Sequence, residues 1–341
     1  MTAEATVPRR RLELGYWLSS EEHGPGHLVR HAQRAEEVGF AAAVISDHYH
    51  PWTGRQGQAP FVWGVLGAIA QATKILRSGT GVTAPVIRLH PAVVAQAAAT
   101  AACLAPGRFF LGVGSGERLN EHVTGQAWPA TEVRSEMLEE AVGVIRRLFG
   151  GDAVSYRGRH FTVERARLYT LPEELPPIYV AGSSRRAAEA AARIGDGFIG
   201  VTPDPRHVDA FEAGGGIGRP RLGQVHVCWA PTEAEARTVA HSWWPNAAIP
   251  GPLLTELAEP EHFEQVARLI TEEDVARVVT CGPDPGEHLA AIARFAAAGF
   301  DQIYVHQVGP DQEGFFRFYQ HEVLPHLGAC RPPSTKESRQ P

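Results

Sequence analysis

Lysine is almost absent from this chain. Lys and Arg together number 32 in 341 residues, yet only Lys74 and Lys336 are lysines. A lysine Schiff base or a lysine phosphate clamp is therefore nearly excluded, and the arginine preference reads mainly as a coding bias. An excess of positive charge is lacking too. The formal net charge is −6 and the pI is near 6.2, which argues against nucleic acid or a membrane surface as partner, since both call for a basic face. Cysteine is scarce: Cys103, Cys228, Cys281 and Cys330 lie far apart with no C-x-x-C pair, so neither a zinc site nor a disulfide framework is suggested. Free thiols fit a cytoplasmic location. No apolar run reaches the roughly 20 residues of a membrane span. The opening MTAEATVPRRR has no apolar segment after its basic residues and does not read as a secretory signal.

What is present is a rhythm. Apolar runs at 12–17, 41–46, 75–82, 108–114, 177–182, 196–201, 223–229 and 302–308 alternate with helix-like segments, the first four of which fall at about 26–38, 58–72, 91–104 and 132–149. Runs this apolar, without strict alternation, belong to strands buried on both faces of a parallel sheet. Eight such β–α units predict a (β/α)8 TIM barrel, one domain over 1–330. A doubly wound open sheet is the alternative, but "GYWLSSEEHG" after the first strand is not its Gly-rich dinucleotide turn. Two stretches break the rhythm: a hairpin-like insertion at about 151–175 after strand 4, and a longer one at about 241–283 after strand 7. Long loops in a barrel tend to cover its functional end. Trp243 and Trp244 either roof a pocket or pack the second insertion onto the barrel. The Pro-rich tail, 331–341, is expected to be disordered.

Barrel enzymes carry their chemistry at the C-terminal ends of strands. The second strand ends in "SDHYHPW" and the fourth in "GVGSGERLNE", so His48 and Glu117 can face each other across one mouth. Histidine titrates near neutrality and suits proton transfer to or from an alcohol oxygen. Asp47 can accept a ligand hydrogen bond or orient a ring. His48 and His50 also form an H-x-H pair of the kind that binds zinc in barrel hydrolases, although no histidine at the ends of strands 5 and 6 completes such a shell. "VAGSSRRAAEAA" places Ser183 and Ser184 ahead of a helix, where they serve either as ordinary caps or as part of an anion site.

The stretches "SDHYHPW", "GTGVTAP", "HPAVVAQAAATAACLAPGRFFLGVGSGERLNEHVTG" and "GDGFIG" resemble the luciferase-like family of flavin and deazaflavin oxidoreductases, from about Leu12 to Leu327. Within it the chain is most similar to the coenzyme F420-dependent dehydrogenases grouped with the glucose-6-phosphate enzymes. The resemblance implies a TIM barrel, a homodimer, and hydride transfer between a small alcohol or hemiacetal and the deazaflavin C5, or from it to an enone or imine in reverse. It implies His48 and Glu117 as acid/base pair. Cofactor contacts would fall at Asp47, Ser115, Gly116 and Asn120, at a non-proline cis bond between Gly81 and Val82, and at Ser183, Ser184, Arg186 and Ala187. Substrate contacts would fall at Trp52, Thr202, Gln265 and Arg277. FMN is the alternative cofactor. The sugar-phosphate enzymes hold their phosphate with two lysines and an arginine. Here Asp204 stands near one lysine position, Gln265 at the other, and Arg277 is the remaining cation, with Arg206 a possible substitute. Glucose 6-phosphate is accordingly expected to be a poor substrate.

Overall fold

The computed structural model describes residues 12–327; the tail expected to be disordered, Cys330 and the opening basic segment lie outside this range. In chain order, β1 (Glu13–Leu18), α1 (Pro25–Val38), β2 (Ala42–Ile45), α2 (Val62–Ala72), β3 (Arg77–Thr80), α3 (Pro91–Leu104) and β4 (Phe109–Val113) alternate. A one-turn α4 (Arg118–Glu121), the long α5 (Thr131–Phe149) and a hairpin of β5 (Val154–Arg157) with β6 (Thr162–Ala166) follow. The rhythm resumes with β7 (Ile178–Ala181), α6 (Arg185–Ile194), β8 (Gly197–Gly200), α7 (Pro205–Phe211) and β9 (Arg221–Cys228). The second insertion supplies α8 (Glu233–Trp243), α9 (Gly251–Glu256), α10 (Pro260–Ala267), α11 (Glu272–Ala276) and β10 (Thr280–Cys281). The chain then runs through α12 (Pro285–Ala297), β11 (Gln302–Gln307) and α13 (Gln312–Phe318).

The parallel strands pair in the order β9-β11-β1-β2-β3-β4-β7-β8, and a β8–β9 pairing closes the ring. This is the eight-stranded TIM barrel that the apolar runs predict. Inside it, Trp17, Val44, Phe110, Tyr179, Ile199, Leu222 and Tyr304 form one packed cluster. Aromatic side chains fit there because glycines face them: a Cβ on Gly15 would come within 2.3 Å of the Tyr304 ring. The opposite strand faces pack against the helices in a separate, larger cluster rich in alanine from α3. Burial on both faces explains why the strands read as unbroken apolar runs.

Local signals place the helices. Pro25 opens α1, and Gly39 closes it with φ +103°, a conformation that favours glycine. The second helix starts at Val62 rather than near 58, because Pro60 biases the preceding residue away from helix and Phe61 is extended at ψ 106°. The short β10 has no strong sequence signature. It lies parallel to the end of β9, with Cys281 opposite Cys228, so two cysteines far apart in sequence become neighbours, and both are free. Among the described residues no helix is long and apolar enough to cross a membrane.

The second insertion builds its own small core, in which Trp244, Ile249, Phe263, Val275 and Val279 pack with Trp52 from the loop after β2 and Leu119 of α4. Gln56 ties the same loop to it, donating to the carbonyl of Trp243 at 2.9 Å and to Asn246 Oδ1 at 3.2 Å. Trp244 is buried and lies edge-on to His306, 4.4 Å between ring centroids. Trp243 stays part-exposed beneath the Arg55 guanidinium. The insertion therefore lies over the C-terminal end of the barrel, and Trp244 packs it there.

Candidate active site

Three carboxylate and imidazole groups meet at the ends of β1, β2 and β4. His48 Nε2 lies 3.3 Å from Glu21 Oε1 and 3.5 Å from Glu117 Oε2. Its Nδ1 faces the carbonyl of His50 at 3.1 Å, which fixes the ring orientation. The Trp52 ring packs on it at 4.9 Å. The two carboxylates differ in environment. Burial opposes ionisation of Glu21, but the facing His48, the Ser46 hydroxyl that donates to its Oε2 and local backbone bonds outweigh it. Glu21 is therefore held below the ordinary carboxylate range. Glu117 keeps 31% of its side-chain surface, yet its enclosure in the mouth is the largest influence. With Glu21 and Glu121 nearby, and despite His48 and the Asn120 amide, its pKa rises to about 7.

A set of buried contacts holds this geometry. Asn120 Oδ1 accepts from the backbone N–H groups of Tyr49 and His50 at 2.9 and 3.3 Å, while its amide donates to Glu117 Oε2 at 3.2 Å. One side chain thus pins the loop carrying His48 to the residue carrying the second carboxylate. Asp47 accepts from Thr83 Oγ1 at 2.6 Å and from Arg88 Nη2 at 2.8 Å. Arg88 also donates from its backbone N–H to Glu121 at 2.6 Å, with side chains of Asp47 and Glu121 both 1% exposed. Burial drives the Glu121 carboxyl up, only partly offset by Arg88. The peptide bond between Gly81 and Val82 is cis, as the resemblance implies. Gly116 adopts φ +80° at the turn into α4.

The remaining candidates fall into two groups. Ser115 and Gly116 sit part-buried beside Glu117, and Trp52 is buried against His48 and Phe263. Ser183, Ser184 and Arg186 are exposed at the start of α6, with Ala187 part-buried behind them. There the Ser184 hydroxyl accepts from Ala187 N–H at 3.2 Å, an ordinary cap, and among the described residues Arg186 has no partner. Thr202, Gln265 and Arg277 are all exposed. Arg277 pairs with Asp274 at 3.1 Å on its own helix, and Arg206 pairs with Asp204. No contact connects these three to His48 or Glu117. The H-x-H pair does not converge either: His50 Nδ1 faces the Leu119 carbonyl at 2.9 Å. Among the described residues, no three His, Cys, Asp or Glu groups are arranged to hold a metal ion.

Two residues of the site escape the sequence. Glu21 sits in "LSSEEHG", directly after the first strand, and that position is the signal that would have found it. Arg88, in "VIRLHP", carries no local signal, because its partner Asp47 lies 41 positions away.

Known proteins share this arrangement of fold and sequence. An F420-dependent glucose-6-phosphate dehydrogenase of Microbacterium testaceum is 36% identical over 334 residues, spanning 94% of this chain and 98% of that one. The enzyme of that name from Mycobacterium tuberculosis is 33% identical over 338 residues, spanning 93% and 98%. A solved F420-dependent secondary alcohol dehydrogenase, in complex with an F420-acetone adduct, superposes with a TM-score of 0.88 at 29% identity, covering 94% of this chain and 100% of that one. The sequence profile of the luciferase-like monooxygenases matches residues 12–302, and the chain belongs to that family.

Proposed function

We propose that this chain is a coenzyme F420-dependent oxidoreductase that moves hydride between a small organic substrate and the deazaflavin C5, with His48 and Glu117 as its acid/base pair. The observation that carries the reading is one imidazole nitrogen, His48 Nε2, set between two carboxylates of opposite tendency at the mouth of the barrel. Similarity to enzymes named for F420 supports the choice of cofactor.

The residues present fit such a group. The N-terminus of α6, with Ser183, Ser184, Ala187 and the unpartnered Arg186, suits a phosphate-bearing tail. Asp47, Gly81, Val82, Ser115, Gly116 and Asn120 cluster at the strand ends nearest His48 and Glu117 and are the proposed ring contacts. The bound deazaflavin supplies a carbon that accepts or gives hydride; the protein orients it. His48 removes the hydroxyl proton of an alcohol as hydride departs, or returns it in the reductive direction. Glu117, with its raised affinity for a proton, holds the second proton. Glu21 stays ionised and stabilises the imidazolium that forms when His48 takes up the hydroxyl proton. Trp52 narrows the space beside it. Thr202, Gln265 and Arg277, exposed as the residues at the start of α6 are, remain the proposed substrate contacts. A homodimer in the cytoplasm belongs to the same proposal and is checked by sedimentation and cell fractionation.

The test is titration of the purified protein with F420 and with FMN, followed by a secondary-alcohol and enone screen on the tighter complex. We expect F420 to bind more tightly. His48→Ala should keep that affinity and lose roughly 10²–10⁴ in turnover. Tighter FMN binding, or full turnover by His48→Ala, refutes the reading.

A further inference from the structure

Below the His48 site lies a second row of titratable groups that the proposed reaction does not use. Glu22, adjacent to Glu21, accepts the Gly309 N–H at 2.9 Å through Oε1, and its Oε2 lies 2.7 Å from His306 Nε2. The other nitrogen of His306, Nδ1, lies 2.9 Å from His226 Nδ1. Glu22 and His306 are buried, whereas His226 is part-buried. Among the described residues its Nε2 has no hydrogen-bond partner, and it is not sealed from solvent.

The sheet shows where that nitrogen points. Side chains alternate along a strand, and Leu222 belongs to the cluster inside the barrel, so Gln224 and His226 face inward as well. The last pairing of β8 with β9 is Gly200 with Gly223. His226 therefore stands beyond the end of β8, in the mouth. Glu21 is close enough to act on both histidines electrostatically.

We propose that His226 Nε2 hydrogen-bonds the substrate, and that the Glu22–His306–His226 chain sets whether it donates or accepts by moving one proton between Glu22 and the mouth. With Glu22 ionised, His306 Nε2–H donates to it, His226 Nδ1–H donates to His306 Nδ1, and His226 Nε2 is bare. Uptake of one proton at His226 Nε2 shifts the Nδ1 proton to His306 Nδ1 and the His306 Nε2 proton to Glu22 Oε2. All three groups end neutral, with His226 Nε2–H facing the substrate. The reverse sequence delivers the proton, and nothing but that proton enters or leaves.

Burial favours the neutral state of every member. It pushes Glu22 up to about 7 against His23, the Gly309 N–H and the Ser19 hydroxyl, with Glu21 adding to the rise. It pulls His226 down to about 3 and His306 to about 4, so the row relays a proton without forming an imidazolium. The other titratable groups facing the row are Tyr16 and Cys228, both held in their protonated forms by burial; His23 is shifted toward its neutral form, also by burial. The Trp244 ring completes the enclosure.

The substrate contact rests on the proposed hydride-transfer reading; the proton chain does not. ¹⁵N-histidine NMR of the full chain, with His226 assigned through His226→Gln, reads the tautomer directly. His226 should pass from bare Nε2 to Nε2–H as pH falls between about 8 and 5, without becoming imidazolium. The step should vanish in Glu22→Gln and in His306→Gln. A fixed tautomer in the wild type, or a step kept in either variant, overturns the relay. In turnover, His226→Phe should lower kcat/KM about tenfold, the value of one hydrogen bond, and leave cofactor affinity unchanged. An unchanged kcat/KM overturns the substrate contact. A wild type that turns over nothing fails the hydride reading instead and leaves the tautomer result standing.

Discussion

Replacing Arg88 by methionine should destabilise the protein strongly and in a pH-dependent way. Among the described residues Arg88 is the only cation within hydrogen-bonding reach of Asp47, at 2.8 Å, and it also lies 3.7 Å from Glu121 Oε1. At an effective dielectric constant of about 20, two unit charges ~3 Å apart attract by roughly 5–6 kcal/mol. Desolvation of the guanidinium consumes part of that in the folded state. Removing one partner of a buried pair, however, strands the others, and such losses run to ~3–5 kcal/mol. Methionine keeps most of the volume, so the loss is electrostatic rather than a cavity. The sign of the pH effect follows from Glu121, whose carboxyl is already raised by burial. Without Arg88 it takes up a proton still more readily, so the penalty is largest above neutrality and shrinks as the solution is acidified. Urea unfolding midpoints at about pH 8 and 5 measure both. Asp47→Asn placed on Arg88→Met removes one stranded charge and should recover about half of the loss. A penalty under about 1 kcal/mol at the higher pH, or one that does not shrink in acid, refutes the argument.

Other expectations are more local. The Glu117 carboxyl is raised from 4.5 to about 7, so the unfolded chain ionises first and stability falls as pH rises across that window. Glu117→Gln should lessen the slope, leaving the share that Glu22 and Glu121 contribute in the same direction, and be more stable than wild type above neutrality, as denaturation curves at several pH values would show. Asn120→Ala leaves the Tyr49 and His50 N–H groups without their acceptor and should cost ~1–3 kcal/mol in unfolding free energy. It should also lower kcat more than it raises KM, because the loop carrying His48 is released. Uncharged secondary alcohols should reduce F420 faster than glucose 6-phosphate does, because Arg206 and Arg277 are already paired with acidic neighbours. Rapid F420 reduction with the sugar phosphate would reverse that expectation.

The barrel is legible because each strand is buried on both faces, so each announces itself as a short apolar run. Strand β10 is not legible: two residues, Thr280 and Cys281, gain their partner only because β9 outruns β8. The start of α2 depends on Phe61 being extended, a detail that amphipathic spacing does not carry. At the site, His48 and Glu117 stand in short motifs at strand ends and can be found without coordinates. Glu21 follows β1 in an unremarkable polar stretch, and nothing in "SSEE" separates Glu21 from Glu22. Only the closed ring, which brings β1 beside β2, assigns one to the imidazole of His48 and the other to that of His306. Thr202, Gln265 and Arg277 differ again: only correspondence to family positions marks them, and all three are exposed.

The division of labour between Glu21 and Glu117 follows from their neighbours rather than from their chemistry, which is identical. Two carboxylates close to one imidazole nitrogen cannot both ionise cheaply. Something has to break the tie. Glu21 receives the hydroxyl of Ser46 and is buried against the imidazole. Glu117 receives one amide hydrogen from Asn120 and opens toward the mouth. The charge therefore settles on Glu21 and the proton on Glu117, the one carboxyl that a bound molecule can reach. A site arranged the other way round would bury its mobile proton behind His48, where no substrate could use it. Ser46, at the end of β2, thus helps decide which of the two carboxyls keeps its proton.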